Sequence, residues 1–478
     1  MGSNNKNVTN KLIQNSMKKI IFIFLACFAL ISNGQVSNKL SSSDKIYGLS
    51  KLWMEVSYNF VYLDKIGKEK WDSIYYASIP VVLETKNDYQ YYKELQKVCA
   101  TLKDGHTNIF MPFEEGNSNF GNYRIGLINI QNRAIVGAVN LSKKDEIPIG
   151  SEVVEVNGSP TRDYIKENVT PYISSSTPQI LEDLSIERLL RGVDGESYTV
   201  KLKTPTGNAI NLNLTHGKVT EKETYPVINR PNLFEFKWLD NNIAYIALNS
   251  FANPKIDTLF LQKLPELYKA KGLIIDLRNN GGGSGYVGFN IFKYLTNDSL
   301  ILGGKALTRD NISAFKAWGG MYQPKDTSIG DPKRARSRKE VRSYYLSSKD
   351  QNYYYFKNEP FKNDVAASKV IVPTVVLFGH STASAAEDFL VFAKGQKHFT
   401  KIGENTFGST GQPYEFKLPG GGIARVCTLK VTYADGDEFV GNGIAPDIEV
   451  KATLDDYLQK RDPVLDKGLE FLKTKISK

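Results

Sequence analysis

Histidine and cysteine are scarce in this chain: four histidines and three cysteines stand among 478 residues. His106, His216, His380 and His398 are scattered, no CxxC pair occurs, and no residues fall at metal-ligand spacing. A zinc centre is therefore not expected. Phosphate and dinucleotide fingerprints are missing too. The chain has neither GxxxxGKS nor GxxxxGKT, and its one glycine cluster lacks the GxGxxG order. Long apolar runs are missing but for one, the 13 residues Ile20 to Ser32. That is short of the roughly 20 that a membrane span needs.

Met17-Lys18-Lys19 precedes this run and Ser32-Asn33-Gly34 follows it. Basic residues, a short apolar core and small residues describe a secretory signal peptide. Residues 1–34 are read as that signal with a possible upstream extension; a retained N-terminal anchor is the alternative. The mature protein is expected to be exported, periplasmic or extracellular, without a stable membrane span. Cys99 and Cys427 would be its cysteines, and whether they pair is left open. The net charge of +10 falls to +6 once Lys6, Lys11, Lys18 and Lys19 are removed. The densest basic run, Pro332 to Arg342, reads as a solvated loop, since no aromatic platform or DNA-binding motif accompanies it. Nucleic acid is not an expected partner.

Periodicity divides the remainder. Leu49, Leu52, Trp53, Val56 and Phe60 fall at helical spacing, and DYQYYKELQKVCATL repeats the pattern before LKDGHT. Residues 36–115 are read as a helical cap. Residues 118–216 alternate as strands do, and IPIGSEVVEVNGSPTRDYIKENV has the turn, strand, turn and helix order of a PDZ-like module. Such modules take an extended peptide as an added strand. Residues 217–239 are read as a linker, 240–460 as an α/β domain and 461–478 as a C-terminal helix. Within the α/β domain, LIIDLRNN and KVIVPTVVLFG are continuous apolar strands that run into helices. A polar, Tyr-rich insertion at about 310–364 interrupts it.

Ser384 follows the second of these strands and opens a helix. Backbone N–H groups and the helix dipole there favour negative charge, as an acyl-transfer oxyanion requires. The plainer reading is a helix cap, because Ser384-Ala-Ala-Glu387 fits the S-x-x-E capping box. The glycines of DLRNNGGG, Asp276 to Gly283, could bring backbone N–H groups close to a ligand. His106 in DGHT is the candidate base, and His380 is a competing histidine four residues from Ser384.

In their order, LKDGHT, the PDZ-like segment, DLRNNGGG, STASAAE, GENTFG and GNGIAPDIEV resemble the tail-specific, or C-terminal processing, serine proteases and their tricorn-core relatives. The resemblance implies a crotonase-like (ClpP-type) α/β catalytic domain with a helical cap and a PDZ-like module. It implies Ser384 as nucleophile, and an oxyanion hole from the N–H of Ala385 and of Gly282, with Gly281 the next choice. The processing branch uses a lysine after TFG, where this chain has Ser409. The tricorn-like branch uses the DGH histidine, which falls on His106. Its acid falls nearest Glu438; the family position holds Val440, and Glu404 is the alternative. The implied activity is peptide-bond hydrolysis without cofactor or metal. The implied partner is a polypeptide, with a free C-terminus as the candidate recognition feature. Oligomeric state is left open. Two readings compete: a non-catalytic peptide- or hydrophobic-ligand-binding protein on the same fold, and an esterase, weakened by the lack of GxSxG.

Overall fold

The computed structural model describes residues 40–112, 119–227 and 230–477. The signal-peptide reading of residues 1–34 lies outside them. Three long helices open the described chain, α1 (Ser42–Asn59), α2 (Lys68–Glu84) and α3 (Asp88–Ala100), with a single helical turn at Leu63–Ile66 between the first two. Ser41 and Asp44 form a capping box that starts α1, and the side chain of Asn87 caps α3. Their apolar stripes, with Leu49, Leu52 and Val56 from α1 and Tyr91, Tyr92 and Leu95 from α3, enter the largest core of the molecule. Strand β1 (Asn108–Phe110) follows directly.

A β-rich module comes next. Strands β2 (Asn119–Phe120), β3 (Tyr123–Ile130), β4 (Arg133–Asn140) and β5 (Glu152–Val156) precede helices α4 (Thr161–Asn168) and α5 (Pro178–Glu187). Strands β6 (Ser197–Lys203) and β7 (Ala209–Thr215) extend a sheet whose main path is β2-β3-β4-β5-β6-β7, with the short strands Ser159–Pro160 and Thr224–Tyr225 paired to β5 and β4. The module has its own core, including Ile125, Val136, Val153, Ile186 and Leu202. The period-two burial of β6 and β7 shows one wet face and one packed face.

The main sheet has six strands: β8 (Phe234–Leu239), β9 (Ile243–Leu248), β10 (Gly272–Asp276), β12 (Thr374–Phe378), β13 (Phe399–Gly403) and β16 (Ile448–Glu449), in that spatial order. Strand β11 (Lys305–Arg309) lies outside it, in a small sheet. β8 runs antiparallel to β9 and the other pairings are parallel. Every residue of β9, β10 and β12 is buried, as expected of strands covered on both faces. Helices α6 (Lys255–Leu267), α7 (Gly285–Phe292) and α9 (Ala385–Ala393) pack on one face with the cap. The other face meets α10 (Pro463–Ile476) through Val464 and Leu472. Helix α8 (Arg338–Ser348) belongs to the insertion, where Tyr322, Val341 and Tyr344 form a small separate core.

The crotonase-like (ClpP-type) expectation is corrected here. The main sheet is mixed, and sheets of two or three strands surround it. One of them ties the domain to the cap: β1 pairs with β15 (Ile423–Cys427), which pairs with β14 (Pro413–Lys417). Alternating strands and helices in a sequence report layering. They do not report strand order or the small sheets around the edge. The segment read as a linker also contributes β8 to the sheet. Cys99 and Cys427 are buried free thiols.

Candidate active site

Two loops leave the C-terminal ends of the adjacent parallel strands β10 and β12, the usual place for a site in an α/β sheet. They are bound to each other. The Ala383 N–H donates to the Asn280 carbonyl at 3.1 Å, and the Thr382 hydroxyl donates to the Leu277 carbonyl at 2.9 Å. Between them Ser384 takes φ 56° and ψ −123°, a conformation that L-residues rarely adopt. Its N–H holds this turn by donating to the Ser409 carbonyl at 3.2 Å and to Glu387 Oε2 at 3.0 Å. The glutamate therefore supplies its half of the expected capping box.

Glu387 binds more than the helix start. It is fully buried and also accepts from the Thr406 hydroxyl at 2.5 Å, Gly408 N–H at 2.8 Å and Ser409 N–H at 3.2 Å. Burial pushes its carboxyl up to about 8, against the pull of these donors. One side chain thus fixes the Ser384 turn to the TFGS segment.

Ala385 is the first residue of α9, where a helix N–H has no intrahelical acceptor. Gly282 lies against this point at φ 98°. A Cβ on it would stand 2.7 Å from the Ala383 carbonyl oxygen, 2.8 Å from Ser384 Cβ and 3.0 Å from Ala385 N. Only glycine leaves that space open. The Gly282 N–H, however, donates to Asn280 Oδ1 at 3.0 Å. Gly281, the second choice from sequence, lines the cavity, and a Cβ there would meet nothing within 4 Å.

Ser384, His106, His380 and Gly281 line one cavity of about 600 Å³. The DGHT loop is held there by its neighbours. Gly105 N–H donates to Ser176 Oγ at 2.8 Å, and Thr107 Oγ1 donates to the buried Asp104 carboxylate at 2.6 Å. His106 Nδ1 lies 2.5 Å from Ser409 Oγ. In the tautomer whose Nδ1–H donates to Ser409, Nε2 carries the lone pair that a base needs. Burial, with Arg425 nearby, lowers His106 to about 4 and keeps it neutral at pH 7.

The other candidates are placed elsewhere. His380 Nδ1 lies 2.6 Å from Asp183 Oδ2 on α5, and its Nε2 lies 3.9 Å from Glu404. These carboxylates raise the His380 pKa, against its burial. Glu438 pairs with Lys430 and, at 3.8 Å, with Lys65; its side chain is 43% exposed and it does not line the cavity. Val440 is buried in the main core. The structure therefore does not bring Glu438 or Glu404 to His106, and its Nδ1 partner is Ser409. Sequence reasoning marked Ser409 only as the site of a lost lysine. It missed Arg425, Asp183 and the wider role of Glu387.

Residues 242–450 match the model of peptidase family S41. The carboxy-terminal processing protease CtpA of Bacillus subtilis (strain 168) is 27% identical over 271 residues, which are 56% of this chain and 45% of that protein. The chain thus spans less than half the length of that relative. The carboxyl-terminal-processing protease of Picosynechococcus sp. (strain ATCC 27264 / PCC 7002 / PR-6) is 20% identical over 91% of this chain and 89% of its own. The crystal structure of mature CPAF superposes with a TM-score of 0.63 at 14% identity, covering 91% of this chain and 96% of that one. That likeness, which spans cap, β-rich module and main sheet together, supports the corrected fold. The chain is thus similar to peptidase family S41 over residues 242–450, and to carboxy-terminal processing proteases over a longer stretch.

Proposed function

We propose that the protein hydrolyses polypeptides through an acyl-enzyme on Ser384, with His106 as general base. The observation that carries this reading is the shared cavity: Ser384 on its strained turn and His106, with Nδ1 held by Ser409, line the same space. His106 Nε2 takes the Ser384 proton as Oγ attacks a peptide carbonyl. The oxyanion is met by the N–H groups of Ala385 and Gly281, while Gly282 keeps the approach open. His106 then gives the proton to the leaving amine, and water releases the acyl group by the reverse sequence.

The β-rich module supports a peptide as substrate. From Ile125 to Ile130, β3 pairs with β4 alone among the described strands. A cavity of about 700 Å³ runs between this edge and α5, lined by Leu127, Ile128, Gln179 and Asp183. An extended chain end added to β3 would lie in it, and Asp183 and His380 line both this cavity and the catalytic one. Export of the protein is part of the same proposal. Among the described residues no helix is long and apolar enough to cross a membrane.

A fluorophosphonate probe should label Ser384, and peptide cleavage should vanish in Ser384→Ala and in His106→Ala. His380→Ala should keep most activity, because its imidazole is engaged by Asp183. Labelling at another residue, or loss in His380→Ala with retention in His106→Ala, would overturn the assignment.

A further inference from the structure

Arg425 is the central residue of β15 and lines the same cavity as Ser384 and His106. Its guanidinium is only partly exposed, yet it forms no ion pair with a carboxylate among the described residues. Its Nε donates to Asn108 Oδ1 at 2.7 Å, and one terminal nitrogen donates to the Gly105 carbonyl at 3.4 Å. The Phe110 ring lies 5.3 Å from the guanidinium carbon. Glu415, opposite in the β14–β15 register, acts on it only at longer range. Asp104, the other acid that acts on it, is buried and committed to Thr107 and Ser176.

A guanidinium has five N–H donors, and two are used here. A half-buried cation without a counter-charge is costly to keep unless something meets it. It also disfavours the protonated His106 that catalysis must form. Both disadvantages disappear when an anion enters the cavity. A carboxylate accepts from a guanidinium fork through two parallel hydrogen bonds, and its charge offsets that of Arg425 beside the imidazole.

We propose that Arg425 is an anion-binding subsite of the catalytic cavity that recognises a substrate carboxylate near the scissile bond. The carboxylate is either an acidic side chain or the free C-terminus of the peptide. The inference rests on the reading of Ser384 and His106 as the catalytic pair.

The test uses matched quenched-fluorescence peptides. One pair differs by Glu against Gln in residues flanking the cleaved bond; the other differs by a free against an amidated C-terminus. With the wild-type protein, kcat/KM for the carboxylate form of one pair should exceed the neutral form about tenfold or more, as expected of a hydrogen bond to a charged group. Which pair responds identifies the source. Arg425→Gln should reduce the preference to about twofold or less, and Arg425→Lys should retain part of it, since a point charge replaces the fork. Equal rates for both pairs in the wild type, or an undiminished preference in Arg425→Gln, would overturn the subsite. If Arg425→Gln does not fold, the wild-type pairs and Arg425→Lys decide: a preference that Arg425→Lys leaves at full strength also overturns it. Fluorophosphonate labelling of Ser384 is followed in parallel. Its failure in the wild type strikes the catalytic reading, whereas labelling without a carboxylate preference strikes Arg425 alone.

Discussion

Replacing Ser409 by alanine removes the one hydroxyl that meets His106 Nδ1, at 2.5 Å. Ser409 is fully buried, so water has no ready access to take its place. With a neutral imidazole the lost hydrogen bond is worth about 0.5–1.5 kcal/mol. Once His106 carries the Ser384 proton, Nδ1–H donates from a cation, and such bonds are worth about 1.5–3 kcal/mol. The loss is therefore larger in the transition state than in the ground state. That difference is about 1–1.5 kcal/mol, so at about 1.36 kcal/mol per tenfold kcat should fall by roughly 5- to 15-fold. KM should change little, because the oxygen lies behind the imidazole and not on the substrate side. Steady-state cleavage of a quenched peptide gives both constants, and thermal unfolding confirms that the variant is folded. A folded Ser409→Ala protein with kcat within twofold of wild type would refute the view that Ser409 orients the base.

Two other outcomes follow from the same geometry. His106 stands at about 4, below its ordinary value, and only its neutral form can take a proton. The acid limb of kcat/KM should thus lie near pH 4, with activity lost as pH falls through it; a limb near 6.5 in a pH profile would contradict this environment for His106. Gly282→Ala should lower the melting temperature and abolish probe labelling, because the new methyl meets the Ala383 carbonyl and stands over Ala385 N at a positive φ. Gly281→Ala meets nothing within 4 Å and should melt as the wild type does.

Much of the fold is written in local patterns. The α1 stripe of Leu49, Leu52 and Val56 is buried, and the apolar runs of β9, β10 and β12 are the buried strands of the main sheet. β8 escaped notice because its residues are half-buried or exposed, so FEFKWL carries little apolar contrast. The pairing of β1 with β15 joins residues more than 300 positions apart, and nothing in either segment announces the other. The site divides in the same way. DGHT, DLRNNGGG and STASAAE are legible as loops bearing reactive groups. The partner of His106 was sought among acids near GNGIAPD, and Glu438 was the nearest in sequence. It faces Lys430 and Lys65 instead, while Ser409 reaches the imidazole because Glu387 draws the TFGS backbone against α9. Arg425 sits in an ordinary strand and gave no local signal.

His106 and Ser409 are 303 residues apart in the chain, and β15 follows later still. Chains are made from the N-terminus, and contacts of such long range close late in folding. During synthesis His106 is present long before Ser384 or the Ser409 hydroxyl that meets its Nδ1. No fragment ending before the TFGS segment contains the contact of His106 with Ser409. On the proposed mechanism, a peptidase arranged in this way could not cut the proteins around it while still being made, and its activity would begin only when nearly the whole chain is available to fold.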